Sequence, residues 1–381
     1  MEKKIFYWSP HINKEVATVK AVLNSAYSLT KFSKKFKPYI INAFGEWDDF
    51  SEQLKKFNIN SIKIFNFKIK LPINGFIKSR LFYIFLSIAT VFPLIRLIKK
   101  DKPDYVIIHL ITIPVLIVSF FLKRKTKFIL RISGYPKLNF LRSYFWKLSS
   151  KNLYKIFTPT SLTKQILIKN NIFKEEKIFI LEDPIIQIRK IAGLKREKIT
   201  DLPKNLKYII SIGRLTKQKN FTFLINSFAK IKKKLDNIKL IIIGSGEEYQ
   251  ELDKLINTNH LQEDIYLMEY KKNIFNYLSK SILFILSSNW EDPGFVIIEA
   301  AICNKLILSS DVESGPREFL DSQKNGLLFE KNNYEDFEKK LKSFFNLDTN
   351  SLFKKKLSAK KRAKNYTIFN HFNKLENFLS N

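Results

Sequence analysis

Apolar segments of strand length alternate along the chain with stretches of helical periodicity. This alternation, running through all 381 residues, predicts parallel β-sheets with helical crossovers. In the first half, helices are predicted over Glu15–Thr30 and Phe140–Lys151. The strands predicted there are Lys4–Trp8, Tyr39–Asn42, Ile62–Phe67, Tyr105–His109, Lys127–Arg131 and Lys155–Pro159.

The same alternation starts again after a break in the pattern. Residues 186–206 lose the periodicity and carry charge, with Gly193 and Pro203, as is typical of a linker. The strands predicted beyond it are Tyr208–Ile212, Lys239–Ile243, Ile265–Leu267, Leu283–Leu286 and Leu306–Ser309, with helices over Phe221–Leu235, Glu247–Asn257, Val296–Ile302, 334–347 and about 351–378. We therefore expect an α/β protein with domains at 1–186 and 207–364, a linker at 187–206, and a last helix (about 365–381) that can return to the first domain.

Two apolar stretches approach the length of a membrane span. Leu81–Leu94 is short for a span, and Tyr105–Leu122 contains His109 and Pro114, so we expect strand, loop and buried helix there. The single cysteine, Cys303, excludes a disulfide framework and a cysteine-based zinc cluster, and favours a reducing, cytoplasmic setting.

Basic charge is concentrated in the first half of the chain. The formal net charge is +32, and residues 53–174 carry 24 Lys and Arg against only Asp101 and Asp104. One-sided charge of this kind attracts a polyanion, either nucleic acid or an anionic lipid surface. Aromatic residues such as Phe85, Phe92 and Phe140 lie among the cations and favour an interfacial membrane contact. A lysine-rich solvated face over an ordinary core explains the same composition.

Gly213 ends a predicted strand, and Arg214 and Lys219 flank the turn that follows it. The carboxyl edge of an open parallel sheet is where ligands bind, and glycine lets the backbone approach them. Two cations beside helix amide groups favour a diphosphate. Cations in a solvated loop without a ligand are the alternative.

Two glutamates stand eight residues apart beside another predicted strand end. Glu291 lies in the loop after Leu283–Leu286, and Glu299 lies in an otherwise apolar helix. Gly294 and Phe295 stand at the start of that helix, where free amides and the helix dipole attract anions or hydroxyl groups. A buried carboxylate needs a donor, either a polyhydroxyl ligand or a local capping or salt-bridge partner.

Residues 208–330 resemble the C-terminal domain of family 4 retaining glycosyltransferases of the GT-B fold. Four elements carry the resemblance in order: Gly213-Arg214-Leu215 with Lys219, Gly244-Ser245-Gly246, the Glu291/Glu299 pair around Gly294-Phe295, and Ser314-Gly315-Pro316-Arg317-Glu318 leading to Asn325-Gly326. The resemblance implies two Rossmann-like domains facing across a cleft. It also implies transfer of a sugar from a nucleoside diphosphate sugar, with retention and without a metal or other cofactor.

The resemblance also implies roles for individual residues of the second domain. Arg214 and Lys219, after Gly213, would hold the donor diphosphate, and Glu299 would bind the ribose hydroxyls. Glu291, with the Gly294 and Phe295 amides, would face the transferred sugar. The turn after Met268, at Tyr270 and Lys271, would border the base. Uridine diphosphate donors are favoured.

The first half resembles the family more loosely. His109, at the end of Tyr105–His109, corresponds to a histidine beside the reacting sugar; a satisfied strand-end histidine is the alternative. Arg131-Ile-Ser133-Gly134 corresponds to the next strand end. The N-terminal loop departs from the family because Ser9–Asn13 lacks the usual glycine pair, which leaves the acceptor geometry open.

We therefore predict a glycosyltransferase that moves a hexose or N-acetylhexosamine to a saccharide acceptor in polysaccharide, lipopolysaccharide or glycolipid synthesis, with a lipid-linked acceptor favoured. It would work peripherally on the inner face of the cytoplasmic membrane, with His109 and Glu291 as the catalytic candidates. A nucleotide-sugar epimerase or phosphorylase of the same fold is the alternative enzyme. A nucleic-acid-binding protein is a third possibility, which leaves the two glutamates unexplained.

Overall fold

The chain forms two compact units, described from a computed structural model. The first unit comprises residues 1–185 and 368–381, and the second comprises residues 186–367. The structure describes residues 2–10, 17–65, 76–122, 125–134, 136, 138–235, 237–291 and 293–380, without the side chains of 17 and 76–83. His11–Asn13 of the atypical N-terminal loop lie outside these residues.

A seven-stranded parallel sheet forms the centre of the first unit, in the order β3-β2-β1-β4-β5-β6-β7. Its strands are β1 (Lys3–Trp8), β2 (Phe36–Asn42), β3 (Asn60–Lys63), β4 (Tyr105–Ile108), β5 (Lys127–Arg131), β6 (Leu153–Thr158) and β7 (Ile178–Ile180). All four residues of β4 are buried, because helices cover both faces of the sheet. This arrangement explains why the strands appear in the sequence as continuous apolar runs.

Seven helices surround that sheet in the described residues. They are α1 (Ala17–Phe32), α2 (Ser51–Lys56), α3 (Phe76–Asp101), α4 (Ile113–Phe121), α5 (Phe140–Ser149), α6 (Ser161–Lys169) and the last helix of the chain, α15 (Ile368–Ser380). In the described part of the chain, no helix combines the length and hydropathy needed to cross a bilayer.

A six-stranded parallel sheet forms the second unit, in the order β10-β9-β8-β11-β12-β13. Its strands are β8 (Tyr208–Ile212), β9 (Lys239–Ile243), β10 (Ile265–Met268), β11 (Leu283–Leu286), β12 (Leu306–Ser310) and β13 (Leu327–Phe329). Its helices are α7 (Ile188–Leu194), α8 (Phe221–Ile231), α9 (Tyr249–Thr258), α10 (Phe275–Lys280), α11 (Phe295–Ile302), α12 (Pro316–Leu320), α13 (Tyr334–Phe345) and α14 (Thr349–Ala363).

The predicted α/β class with two parallel sheets is confirmed. The predicted and observed elements differ only locally. Strands β7 and β13 are only three residues long, too short for a recognisable pattern. The stretch predicted as a linker contains α7 and belongs to the second unit. The helical stretch predicted over about 351–378 is interrupted, because Thr367 adopts an extended backbone and forms a parallel bridge with Ile186.

Helix α15 belongs to the first unit, where it packs against α1. The Tyr105 hydroxyl donates to the carbonyl oxygen of Leu379, and the Lys155 ammonium donates to that of Phe378 at 2.5 Å. Carbonyls at a helix end have no partner within the helix, so these bonds satisfy groups that folding would otherwise leave unpaired. The end of the chain is thereby tied to two central strands.

Candidate active site

Two loops meet at the carboxyl edge of the second sheet, after β8 and β9. The Gly213 amide donates to the Ile243 carbonyl at 3.0 Å, and the Leu215 amide donates to the Ser245 carbonyl at 2.8 Å. A Cβ added at Gly244 would stand 1.8 Å from the carbonyl oxygen of Gly213. Only glycine permits this approach, which explains why Gly244 follows the end of β9.

Arg214 extends from the first of these loops into solvent. Its guanidinium donates to the Gln218 side-chain oxygen at 3.1 Å, and Gln218 in turn donates to the Trp290 carbonyl at 2.9 Å. Gln218 therefore connects the loop after β8 to the loop after β11. The guanidinium remains exposed, so it can reach an anion at this edge.

Lys219 and Glu291 form a buried ion pair in the same place. Their side chains are 11% and 5% exposed, and the Lys219 ammonium bonds directly to Glu291 Oε1. The Ser288 hydroxyl donates to the same carboxylate oxygen at 2.6 Å, and the Ser287 hydroxyl holds the Lys219 carbonyl at 2.9 Å. The two predicted charged residues, 72 positions apart, thus fix each other's position.

The amino end of α11 lies beside this pair. Gly294 precedes the helix with a left-handed φ of 77°, which favours glycine, and a Cβ there would be 3.6 Å from the Glu291 carboxylate. Phe295 begins the helix, whose first amides have no partner within it. Glu299 is 9% exposed on this helix, between buried apolar neighbours. The second carboxylate is therefore buried, as its apolar surroundings predict.

The structure places Tyr270 and Lys271 in the loop after β10. The Tyr270 ring is 68% exposed, whereas the Lys271 ammonium pairs with Asp201 at 2.7 Å. The Tyr277 hydroxyl bonds to the same carboxylate. Burial acts to raise the pKa of Asp201, but the bonds from Lys271 and Tyr277 outweigh it and hold that pKa below its ordinary value. Of the two predicted residues, Tyr270 has the side chain that is open for a ligand to stack on.

The fourth element of the resemblance leads into α12. Arg317 pairs with exposed Asp311 at 2.7 Å and therefore does not join the Lys219–Glu291 pair. The Ser314 hydroxyl is buried and has no hydrogen-bond partner in the described part of the chain. Gln218 and Ser287 join the loops after β8 and β11. Sequence reasoning missed them because polar side chains in loops carry no distinctive pattern.

In the first unit, His109 directly follows β4 and is buried. Its ring stacks with Tyr7 at a centroid distance of 6.1 Å, and its Nδ1 atom has no hydrogen-bond partner among the residues that the structure describes. Burial, and secondarily the charge of Arg131, lowers the pKa of His109 well below its ordinary value. The imidazole is therefore neutral at pH 7 and can exchange hydrogen bonds with a hydroxyl group.

A second buried histidine, His371 of α15, lies in the same unit. Its Nδ1 atom is 2.8 Å from the Glu182 carbonyl oxygen, so Nδ1 carries the proton. Its Nε2 atom then accepts from Ser25, 2.9 Å away, and Ser25 accepts from the Tyr7 hydroxyl at 2.9 Å. This chain of donors is the one that neutral His371 forms. Burial lowers the pKa of His371 to about 3, although the bond to Glu182 opposes the shift.

Arg131 and Asp183 complete this polar cluster. Their side chains are 3% and 6% exposed and pair at 2.5 Å. A small cavity of about 10 Å³ is lined by Arg131, Asp183, His109 and His371, among other residues. Asp183 and His371 were not predicted, because no local pattern distinguishes them and they reach His109 only through the fold.

Two separate parallel sheets, each with helices on both faces and functional residues at its carboxyl edge, define the GT-B class of glycosyltransferases. The chain belongs to the glycosyltransferase family described as glycosyl transferases group 1, which its residues 195–366 match. An uncharacterised glycosyltransferase of Methanocaldococcus jannaschii is 31% identical over 82% of this chain and 78% of its own length. These findings confirm the predicted family resemblance and the enzyme class.

Two further comparisons concern the ligands of similar proteins. N-acetylgalactosamine-N,N'-diacetylbacillosaminyl-diphospho-undecaprenol 4-alpha-N-acetylgalactosaminyltransferase of Campylobacter jejuni is 28% identical over 63% of this chain and 66% of its own length. The crystal structure of Anabaena HepE in complex with UDP has a TM-score of 0.70, with 13% identity and full coverage of both chains. At that identity the second likeness shows the fold alone.

Proposed function

We propose that this chain is a retaining glycosyltransferase that transfers a hexose or N-acetylhexosamine from a nucleoside diphosphate sugar, with UDP favoured. The acceptor in this proposal is a saccharide carried on a lipid, and the enzyme acts peripherally at the inner face of the cytoplasmic membrane. One observation carries the proposal: Arg214, the buried Lys219–Glu291 pair and the amino end of α11 meet at one sheet edge.

The chemistry of the proposed step follows from these groups. Departure of a nucleoside diphosphate builds negative charge, which the Arg214 guanidinium, the Lys219 ammonium and the α11 amides can stabilise in place. The sugar becomes oxocarbenium-like, and the adjacent Glu291 carboxylate favours that positive charge. Glu299 binds the ribose hydroxyls, and the departing phosphate accepts the proton of the acceptor. The step uses no bound metal in this proposal.

Support for the substrates comes from the similar proteins. HepE was crystallised with UDP, and the name of the Campylobacter enzyme specifies a diphospho-undecaprenol acceptor and an N-acetylgalactosaminyl group. A lipid-linked acceptor agrees with the basic first unit. The neutral imidazole of His109 would hydrogen-bond a hydroxyl of the transferred sugar.

A thermal-shift panel of UDP, GDP, ADP and CMP with their common sugar conjugates tests the donor. A ligand at 100 times its dissociation constant stabilises its site by about 2.7 kcal/mol. We expect UDP and a UDP-sugar to stabilise the wild type, and Arg214→Ala and Glu299→Ala to lose that shift. Arg196→Ala and Glu263→Ala, exposed residues of the same unit, are matched controls that should keep it.

Product analysis separates transfer from related reactions. Incubation with the stabilising donor and a lipid-linked saccharide should yield an elongated acceptor with the anomeric configuration of the donor. An isomerised donor or phosphate-dependent cleavage, without elongation, would contradict the proposal, as would a wild type that no nucleotide stabilises.

A further inference from the structure

A groove of about 590 Å³ opens between the carboxyl ends of α3 and α4 in the first unit. Three lysines and three apolar residues form most of its lining: Lys99, Lys102, Lys125, Phe120, Phe121 and Leu122. None of the residues assigned to the donor or to the reacting sugar belongs to it. The groove is therefore a separate feature of the surface.

The groove lies at the opposite edge of the sheet from His109. Lys102 and Lys125 stand just before the amino ends of β4 and β5, whereas His109 follows the carboxyl end of β4. A strand of four residues such as β4 spans about 13 Å. A ligand in the groove is thus separated from a sugar beside His109 by the length of the strand. The groove therefore does not hold the acceptor group that reacts.

The charge of the groove is positive and unneutralised. Within the described residues, none of its three ammonium groups forms an ion pair, and no carboxylate lines it. Asp101 and Asp104 stand next to Lys102 along the chain, but neither lines the groove. The Asp104 carboxylate accepts from the Lys4 amide at 2.8 Å. Three uncompensated ammonium groups around one groove attract a phosphate group.

The apolar part of the groove continues onto an exposed surface. The Phe121 ring lines the groove and is still 68% exposed. On α3, which packs against α4, the exposed large apolar side chains among those that the structure describes are Ile84, Phe85, Ile88 and Phe92, the last being 81% exposed. Phe92 and Lys99 are seven residues apart, so they share one face of α3. The helix surface thus changes from apolar to basic as it reaches the groove.

Helix α5 extends this apolar surface on the other side of α4. It packs against α4 and exposes Phe140, Leu141, Tyr144 and Leu148, with Phe140 83% exposed. Monomeric proteins rarely expose so many large apolar side chains on neighbouring helices without a partner. The matching partner is amphiphilic, with negative charge beside hydrocarbon.

We propose that this groove binds the phosphate headgroup of an anionic phospholipid while the exposed face of α3, α4 and α5 enters the acyl boundary of the membrane. The proposal deepens the membrane association proposed above and rests on it. A free phosphate would leave the phenylalanines without a partner, and a nucleic acid would not bury Ile84, Ile88 or Leu141. An anionic lipid offers a phosphate to the lysines of the groove and hydrocarbon to the apolar side chains.

Vesicle flotation of the full chain tests the proposal. Phosphatidylglycerol-containing vesicles are compared with pure phosphatidylcholine vesicles, and K99Q/K102Q/K125Q is compared with K34Q/K55Q/K56Q. The control lysines are exposed in the same unit and lose the same charge. Each lysine at an anionic surface contributes about fivefold, so the groove variant should bind roughly 100-fold more weakly and the control much less so.

The apolar part of the surface is tested by comparing vesicle binding of Phe121→Ser and Phe353→Ser. Phe353 is a similarly exposed phenylalanine of the second unit. Loss of one buried phenylalanine should weaken vesicle binding about tenfold for the first variant only. Equal losses of vesicle binding in the groove and control variants would overturn the proposal. Complete inhibition of vesicle binding by millimolar inorganic phosphate, or binding to a DNA duplex in place of vesicles, would also overturn it. UDP thermal shifts measured on the same variants should not change, so failure of the groove and failure of the donor site are distinguished.

Discussion

The buried histidine His371 gives a pH dependence whose size can be worked out from the structure. The perturbation is His371→Asn, in which the Asn amide nitrogen can take the place of Nδ1 and donate to the Glu182 carbonyl. The variant keeps one donor in a buried position but has no group that titrates between pH 5 and 8. Comparison of its stability with that of the wild type isolates the proton linkage of this side chain.

The sign and size of the effect follow from the pKa of His371. It is about 3 in the folded chain and about 6.5 in the unfolded chain, so between these values only the unfolded state binds the proton. The contribution of His371 to the free energy of unfolding is therefore complete above pH 6.5 and is lost as the pH falls toward 3. At pH 5 the loss is about 2 kcal/mol relative to pH 8.

Other groups of the first unit also titrate in this range. His109, whose pKa is lowered by burial, acts in the same direction as His371. Glu46 acts in the opposite direction, because burial raises its pKa to about 7 and the folded state then binds the extra proton. Glu46 is present in both proteins, so the difference between wild type and variant cancels its contribution. The contribution of His109 cancels apart from the part of its pKa shift that comes from His371, which is smaller than those from burial and Arg131.

The assay is urea unfolding followed by tryptophan fluorescence at pH 8 and pH 5. Trp8 and Trp47 are buried in the first unit and report on its unfolding. We expect the wild type to lose about 2 kcal/mol more than His371→Asn between the two pH values. Equal losses would refute the reasoning, because they would mean that folding does not suppress protonation of His371.

Two predictions concern the second unit. Lys219→Met leaves the Glu291 carboxylate buried without its cation, so the free energy of unfolding of that unit, measured with urea, should fall by about 3–5 kcal/mol. Adding Glu291→Gln should recover part of this loss. A double variant no more stable than the single one would contradict this account. Gly244→Ala would bring a Cβ to 1.8 Å from the Gly213 carbonyl, so thermal unfolding should show a loss of about 1–3 kcal/mol or more. Gly193→Ala, with open space around its Cβ, is the matched control and should be neutral or slightly stabilising.

Much of the fold follows from local pattern. The predicted strands Lys127–Arg131 and Lys239–Ile243 have the bounds of β5 and β9, because a strand covered by helices on both faces must be apolar throughout. The fold also brings together several residues that the sequence singled out. Gly213, Arg214, Lys219 and Glu291 meet because the carboxyl ends of parallel strands share one sheet edge.

Other features depend on contacts that no local window contains. Ser25 meets His371 across 346 residues, and Arg131 meets Asp183 across 52. The helical pattern near the chain end continues through Thr367, but the bridge to Ile186 interrupts it. Packing against α1 then assigns α15 to the first unit. The sequence by itself determined the strands, the order of the elements and the charged candidates, since these depend on neighbours along the chain. Only the tertiary structure decided which polar groups are buried together, because burial and pairing are set by distant segments.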